Sequence, residues 1–195
     1  MKVLFSLLIV LMPLLVGSSM ASSQAKTHSA DAASMEQKLR HIQSNGQSAH
    51  PDQTPTVITE QEANAYLASN DVALPNGVRS VKLEGRPGVI TGTAQVDFDR
   101  IREGSRSSNP LLSIFSGVHE VVVVAHAYGA ARQGYVHVDS GSLDGVEMPR
   151  FVLQLFVEKY LQPKYPELGL DSRFALPDRV DMARVGDHKL MVTQK

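Results

Sequence analysis

The apolar and polar positions of this chain change rhythm several times, and each change predicts an element. Val3 to Val16 is an apolar run broken only by Ser6 and Pro13. Residues 26–56 are polar, rich in Ser, Ala, His, Gln and Asp, with a weak helical pattern from Ser34 to Gln43. Met35, Leu39 and Ile42 share one face of it, and Ser44-Asn45-Gly46 and His50-Pro51-Asp52 argue for an early end. A polar flexible lead-in, or at best a short docked helix, is the expectation there. Thr59-Glu60-Gln61-Glu62 then reads as a capping box opening a helix to about Ala68, with Ala63, Tyr66 and Leu67 as its apolar stripe.

Beyond Asn70-Asp71 the period falls to two. Val78, Val81 and Leu83 predict a strand with one buried face, Gly85-Arg86-Pro87-Gly88 a turn, and 89–98 a returning strand. The stretch 100–109 is polar and reads as a loop or a frayed helical turn. Pro110-Leu111-Leu112-Ser113-Ile114-Phe115 reads as a short helix or an apolar lip. Residues 119–128 and 135–143 form the clearest hairpin, and Val121 to Val124 are β-branched on both faces, predicting partial cover on both sides. A helix opened by Pro149 follows to Leu161, with Phe151, Leu155 and Tyr160 beside Val152, Phe156 and Leu161 on a broad apolar surface. Two short strands, 180–185 and 189–193, turn at Gly186-Asp187.

One spacing occurs twice. Leu74-Pro75 is followed by Val78, Val81 and Leu83, and Leu176-Pro177 by Val180, Ala183 and Val185. This reads as one strand–turn–strand device used twice. The whole is an α+β pattern: a strongly twisted antiparallel sheet of about six strands, centred on one long hairpin, with two helices packed on it.

The leader changes the picture of where the chain works. A charged Met1-Lys2 start, an apolar run and a small-residue exit form a signal-peptide pattern over residues 1–25, with cleavage after Ala21 or Ala25. The run is about 14 residues, below the roughly 20 of a spanning helix, so no integral span is expected after cleavage. Export to the periplasm is the expectation. Residues 57–195 then form a single domain large enough for a core of its own. With 19 basic and 20 acidic residues there is no positive field that would argue for nucleic acid. The absence of cysteine removes lipoprotein attachment, thiolate ligands and thiol nucleophiles.

Candidate chemistry is sparse. Gly141-Ser142-Leu143-Asp144-Gly145 lacks the spacing and lysine of a phosphate loop. Ser105, Ser113 and Ser116 lack the glycines of a nucleophile elbow. Asp97 and Asp99 share a strand face and read as a solvated or Arg-paired strand end rather than an acid–base pair. If the long hairpin pivots at residues 131 and 132, His126 faces His137, with Tyr128, Tyr135 and Asp139 on the same face. Such a cluster has the ligand types of a zinc site, but a row of amphipathic side chains explains it as well. No catalytic residue, metal or cofactor is therefore assigned.

What remains is apolar surface. Leu111, Leu112, Ile114, Phe115, Val121, Val123, Val136, Val138, Phe151, Leu155 and Phe156 are candidates to line a groove between the curved sheet and the helix at 149–161. The alternative is that they fill a core.

The Ile58-Thr59-Glu60 helix opening, the Leu74-Pro75 and Leu176-Pro177 strand openings, the stretch Gly92-Thr93-Ala94-Gln95-Val96-Asp97-Phe98 and the long central hairpin span roughly residues 57–193. In these features the chain resembles small bacterial envelope proteins of the YceB-like and LmeA-like kind, half-module relatives of tubular lipid-binding domains. The resemblance implies a curled sheet around a long helix and binding of phospholipid or fatty acid in the periplasm or at a membrane face. This chain departs from it in lacking a lipobox cysteine and in the shortness of its 149–161 helix. The expected function is non-enzymatic binding of an apolar or lipidic ligand. The alternative is a structural or protein-interaction module of the envelope, with an envelope protein as partner.

Overall fold

The computed structural model describes residues 26–69, 72–103, 116–158, 162, 166 and 169–195. The leader and Ser105, Leu111, Leu112, Ser113, Ile114 and Phe115 lie outside them. The described elements are α1 (Lys26–Gln47), β1 (Thr56–Thr59), α2 (Glu60–Leu67), β2 (Val78–Arg86), β3 (Val89–Asp97), α3 (Phe98–Glu103), β4 (Val118–Ala130), β5 (Gln133–Leu143), β6 (Val146–Glu147), α4 (Arg150–Phe156), β7 (Asp171–Ala175), β8 (Val180–Gly186) and β9 (Lys189–Gln194).

These are α+β elements, as the period changes predict, with nine strands in one antiparallel sheet. The three strands beyond the expected six are β1, β6 and β7, of 4, 2 and 5 residues. Runs that short display too little alternation to be recognised.

The sheet runs β1-β9-β8-β4-β3-β2, and β5 lies on the other edge of β4, carrying β6 and β7. One edge of β4 is shared: β3 pairs with it from Val118 to His126, and β8 takes over at Tyr128 and Gly129. The amide of Gly88 at the β2–β3 turn donates to Val185 O at 3.0 Å, tying the two partners together. The β4–β5 turn is the two residues Ala131 and Arg132, both at positive φ (49° and 61°). That is the turn whose twist matches a hairpin's, and it fixes the register Tyr128 to Tyr135 and His126 to His137.

The repeated Leu-Pro spacing is a repeated structure. Val78 N–H donates to Pro75 O, and Val180 N–H to Pro177 O, each at 2.9 Å. Each strand then carries a register shift two residues on, between Val78 and Ser80 in β2 and between Val180 and Met182 in β8. The far end of each hairpin returns to the same turn, Asp97 N–H to Gly77 O at 2.6 Å and Lys195 N–H to Arg179 O at 3.0 Å.

Residues 26–47 are not a flexible lead-in. They form a 22-residue helix whose Met35 and Ile42 are only 1% exposed and whose Leu39 is also buried. The predicted face is the buried one, but the helix is longer at both ends than its own periodicity shows. Two polar latches hold it. Glu62 on α2 accepts from Lys38 Nζ at 2.6 and 2.7 Å and from Ser34 Oγ at 2.6 Å. Buried Gln194 on β9 donates to Ile42 O at 2.7 Å and Asp178 O at 2.6 Å, and accepts from Asn45 Nδ2 at 2.8 Å.

α2 opens with the predicted capping box: the Glu62 amide donates to Thr59 Oγ1 at 3.2 Å, and the Thr59 amide to Glu62 Oε2 at 2.8 Å. Its Ala63, Tyr66 and Leu67 join the main core with Ile58, Val185 and Val192. Its other face meets the edge of β2. The Asn64 carboxamide accepts from Leu83 N–H at 2.7 Å and donates to Leu83 O at 2.8 Å, and Glu60 accepts from Gly85 N–H at 3.0 Å.

α4 corrects one expectation. Its buried residue is Leu153, seated over Gly141 of β5, where a Cβ would stand 2.6 Å from a Leu153 methyl. With Leu153 inward, Phe151 is turned away and is 67% exposed. The broad apolar surface of this helix did not by itself say which arc would face the sheet.

Candidate functional site

The predicted groove residues fall into four environments. Val136 and Val138 are packed into the main core beside Ala125, Ala127 and Leu153, so they fill it rather than line a groove. Val121 and Phe156 are half-buried in a second, smaller cluster around buried Val96 and Phe98, with Ala94, Ile101 and Leu143. Val123 is half-buried against the main core, and Leu155 is half-buried. Phe151 stands in solvent, as does Val146 at 69% exposure.

The two clusters share one face of the sheet and differ in how completely they are covered. Around β1, α1, α2, β8 and β9 the packing leaves a cavity of only about 60 Å³, lined by Met35, Ile58, Ala63, Leu83, Val185 and Leu190 among others. That is far below the 300–1,000 Å³ of a ligand pocket. Toward α3 and α4, five apolar side chains surround only two buried ones.

Two polar contacts frame that second region. Asp97 is buried, accepts from Arg79 Nη2 at 2.7 Å and from the Asp99 and Arg100 amides at 3.1 and 3.2 Å, and starts α3. The Arg79 hydrogen bond, more than any other contact, holds its carboxyl below the usual range. This is an Arg-paired strand end, as the sequence predicts. His119 Nδ1 lies 2.5 Å from Asp144, and its ring meets Phe98 edge-on at 5.6 Å. The Asp144 hydrogen bond raises the His119 pKa above its ordinary value.

The opposite face carries the histidines. His126 and His137 are paired across β4 and β5, as a pivot at residues 131 and 132 requires. His126 Nδ1 lies 2.8 and 2.9 Å from the Asp139 oxygens, and His137 Nδ1 bonds Asp171 on β7. Arg150 of α4 closes the series, 2.8 Å from Asp171. Tyr128 and Tyr135 stack at 4.8 Å with planes 16° apart, and the Arg173 guanidinium lies 5.3 Å from the Tyr135 centroid. Among the described residues no three His, Cys, Asp or Glu groups are placed to hold a metal ion together. Beside this network, a cleft of about 290 Å³ is lined by Asp139, Ser140, Glu147, Met148, Pro149, Arg150 and Leu153.

Asp171, Arg173 and Arg184 escape the sequence reading because they sit on β7 and β8, whose pairing partners no local pattern reveals. The two-residue turn was the one signal that reached across strands, and it reached only from β4 to β5. No helix among the described residues is long and apolar enough to cross a membrane.

No protein-family model matches the chain, and neither a curated protein nor a solved structure matches it.

Proposed function

We propose that this protein is a non-enzymatic binder of an apolar or lipidic ligand, exported to the periplasm, that takes the ligand against the inner face of β3, β4 and β5 beside α4. The observation that supports the reading is the half-covered cluster of Ala94, Ile101, Val121, Leu143 and Phe156, on the same sheet face as a fully packed core. Each acyl CH₂ buried there would contribute about 0.8 kcal/mol, so a chain of modest length suffices for reversible binding. The sequence resemblance to envelope lipid-binding proteins agrees with this, and the leader pattern agrees with the compartment.

Native mass spectrometry of protein purified from the cell envelope tests it. Co-purified lipid, or saturable uptake of a fluorescent fatty acid, is the expected result. Absence of both overturns the reading. A protein-interaction module of the envelope is the second reading, favoured by the exposure of Phe151 and Val146. It predicts that neither lipid assay succeeds while Phe151→Ser abolishes capture of one defined envelope protein.

A further inference from the structure

The outer face of the sheet carries one continuous cross-strand row that the apolar inner face does not need. The registers place Arg184 of β8 opposite Tyr128 of β4, Tyr128 opposite Tyr135 of β5, and Tyr135 opposite Arg173 of β7. Directly paired residues share a face, so these four side chains stand side by side across four strands. The Tyr–Tyr centroid distance of 4.8 Å equals the spacing between strands, so the rings stand on edge, stacked like the strands beneath them. Arg173 covers the outer face of Tyr135, whereas Tyr128 is 51% exposed. The next row, two residues along β4, is His126, His137 and Asp171, with Asp139 beside them.

Charge decides what this face fits. Asp171 is engaged by His137 and Arg150, and Asp139 by His126. Among the described residues Arg173 and Arg184 have no carboxylate within salt-bridge distance, which leaves two uncompensated guanidinium groups. They lie about three strand spacings, ~14 Å, apart. Between them stand two phenol hydroxyls, and beside them imidazoles and carboxylates with acceptor capacity to spare.

We propose that this row is a binding platform for an acidic polysaccharide: a polyol carrying carboxylates at intervals. Its carboxylates would pair with Arg173 and Arg184, a ring face would lie on Tyr128, and its hydroxyls would donate to Asp139 and Asp171 and accept from the tyrosine hydroxyls. A polyol uses donors and acceptors in the same plane, which is what the two adjacent rows offer. Single-stranded DNA fits less well, because it brings almost no hydroxyls to donate to Asp139 and Asp171.

The test is titration of the full chain with polygalacturonate, with dextran as the neutral polymer, oligothymidylate as nucleic acid and phosphatidylglycerol vesicles as membrane. The expected result is salt-sensitive binding of polygalacturonate, tighter than to dextran or to oligothymidylate. Tyr128→Ala, Arg173→Ala and Arg184→Ala should each weaken it ten-fold or more with unchanged circular dichroism, while Arg40→Ala, on an exposed arginine of α1 paired to Glu36, leaves it unchanged. No binding of polygalacturonate, an equal loss in Arg40→Ala, or retained affinity in all three row variants overturns the proposal. So does tighter binding to oligothymidylate, or vesicle binding that Tyr128→Ala, Arg173→Ala and Arg184→Ala weaken. Vesicle binding that the three row variants leave unchanged belongs to the apolar cluster on the opposite face and leaves the proposal standing.

Discussion

The β2–β3 and β8–β9 hairpins begin with the same turn and the same register shift, and they end up in different surroundings. In β8, Val180, Ala183 and Val185 are all buried. At the equivalent places in β2, Val78 and Val81 are half-buried and only Leu83 is buried. The local device is therefore the same and the covering is not. α1 and β1 close over β8 and β9, with Ile42 and Gln194 as the points of closure. α2 reaches β2 mainly at Leu83 and Gly85, and the face toward α3 and α4 stays half-open. A repeated strand–turn–strand unit fixes backbone shape, whereas the elements laid over it decide whether its apolar face becomes core or surface.

The largest expected effect comes from uncovering the closed hairpin. Ile42→Ala should cost about 2–5 kcal/mol in denaturant unfolding, because it leaves a cavity under α1. Val81→Ala on the open hairpin should cost well under half of that. Equal losses would end the distinction between the two hairpins.

Acid should act next, through Glu62. Its burial works to raise the pKa, but Lys38, Ser34 and Thr59 outweigh that and hold it at about 2, against 4.5 for a free glutamate. The folded value is depressed, so the stabilisation is complete above about 4.5 and is lost as pH falls toward 2. The loss is on the order of 3 kcal/mol. Glu62→Gln should be less stable at pH 7 and should lack this slope, as measured by unfolding midpoints between pH 2 and 6.

Gly77→Ala compares the two turns directly. Gly77 sits at φ +88°, and a Cβ there would stand 2.8 Å from Asp97 O, with the Ile101 side chain in the way as well. Arg179 holds the equivalent place at φ 56° with its side chain directed to Ser48 O. The substitution should cost more than about 1 kcal/mol, and thermal unfolding would show it. A neutral result would mean that the open hairpin yields where the closed one does not.

The smallest effect is alkaline. Asp144 raises the pKa of His119, so the stabilisation from this pair is present below about 6.5 and is lost as pH rises through the elevated folded value. Unfolding midpoints at pH 6 and 9 should differ in the parent chain, and that difference should shrink in His119→Gln.

Legibility in the sequence followed the range of the interactions. The Thr59–Glu62 box, the pivot at residues 131 and 132 and the Leu-Pro echo are local, and each was readable from a few neighbouring residues. Glu62's second role, receiving Lys38, joins residues 24 apart and leaves no local trace. α1 was underestimated because its own pattern is weak and docking supplies the stability. Phe151 was misplaced because an apolar helix offers several possible buried arcs, and Gly141 on another strand selected among them. The half-covered region was legible through Val121 and Phe156, while its partners Ala94, Ile101 and Leu143 depend on the three-dimensional pairing of β3, β4 and β5.

The bidentate grip of Asn64 on Leu83, with Glu60 on Gly85, has a meaning for the behaviour of many copies together. An outermost strand with unsatisfied amides and carbonyls is a template for polymerisation, and β2 stands at one end of the sheet order. A carboxamide presents one donor and one acceptor at the spacing of a neighbouring peptide group, so α2 occupies the place where a foreign strand would add. Asn64→Leu should therefore show itself less in the melting of dilute protein than in the lifetime of concentrated solutions, as growing fibrils that bind thioflavin.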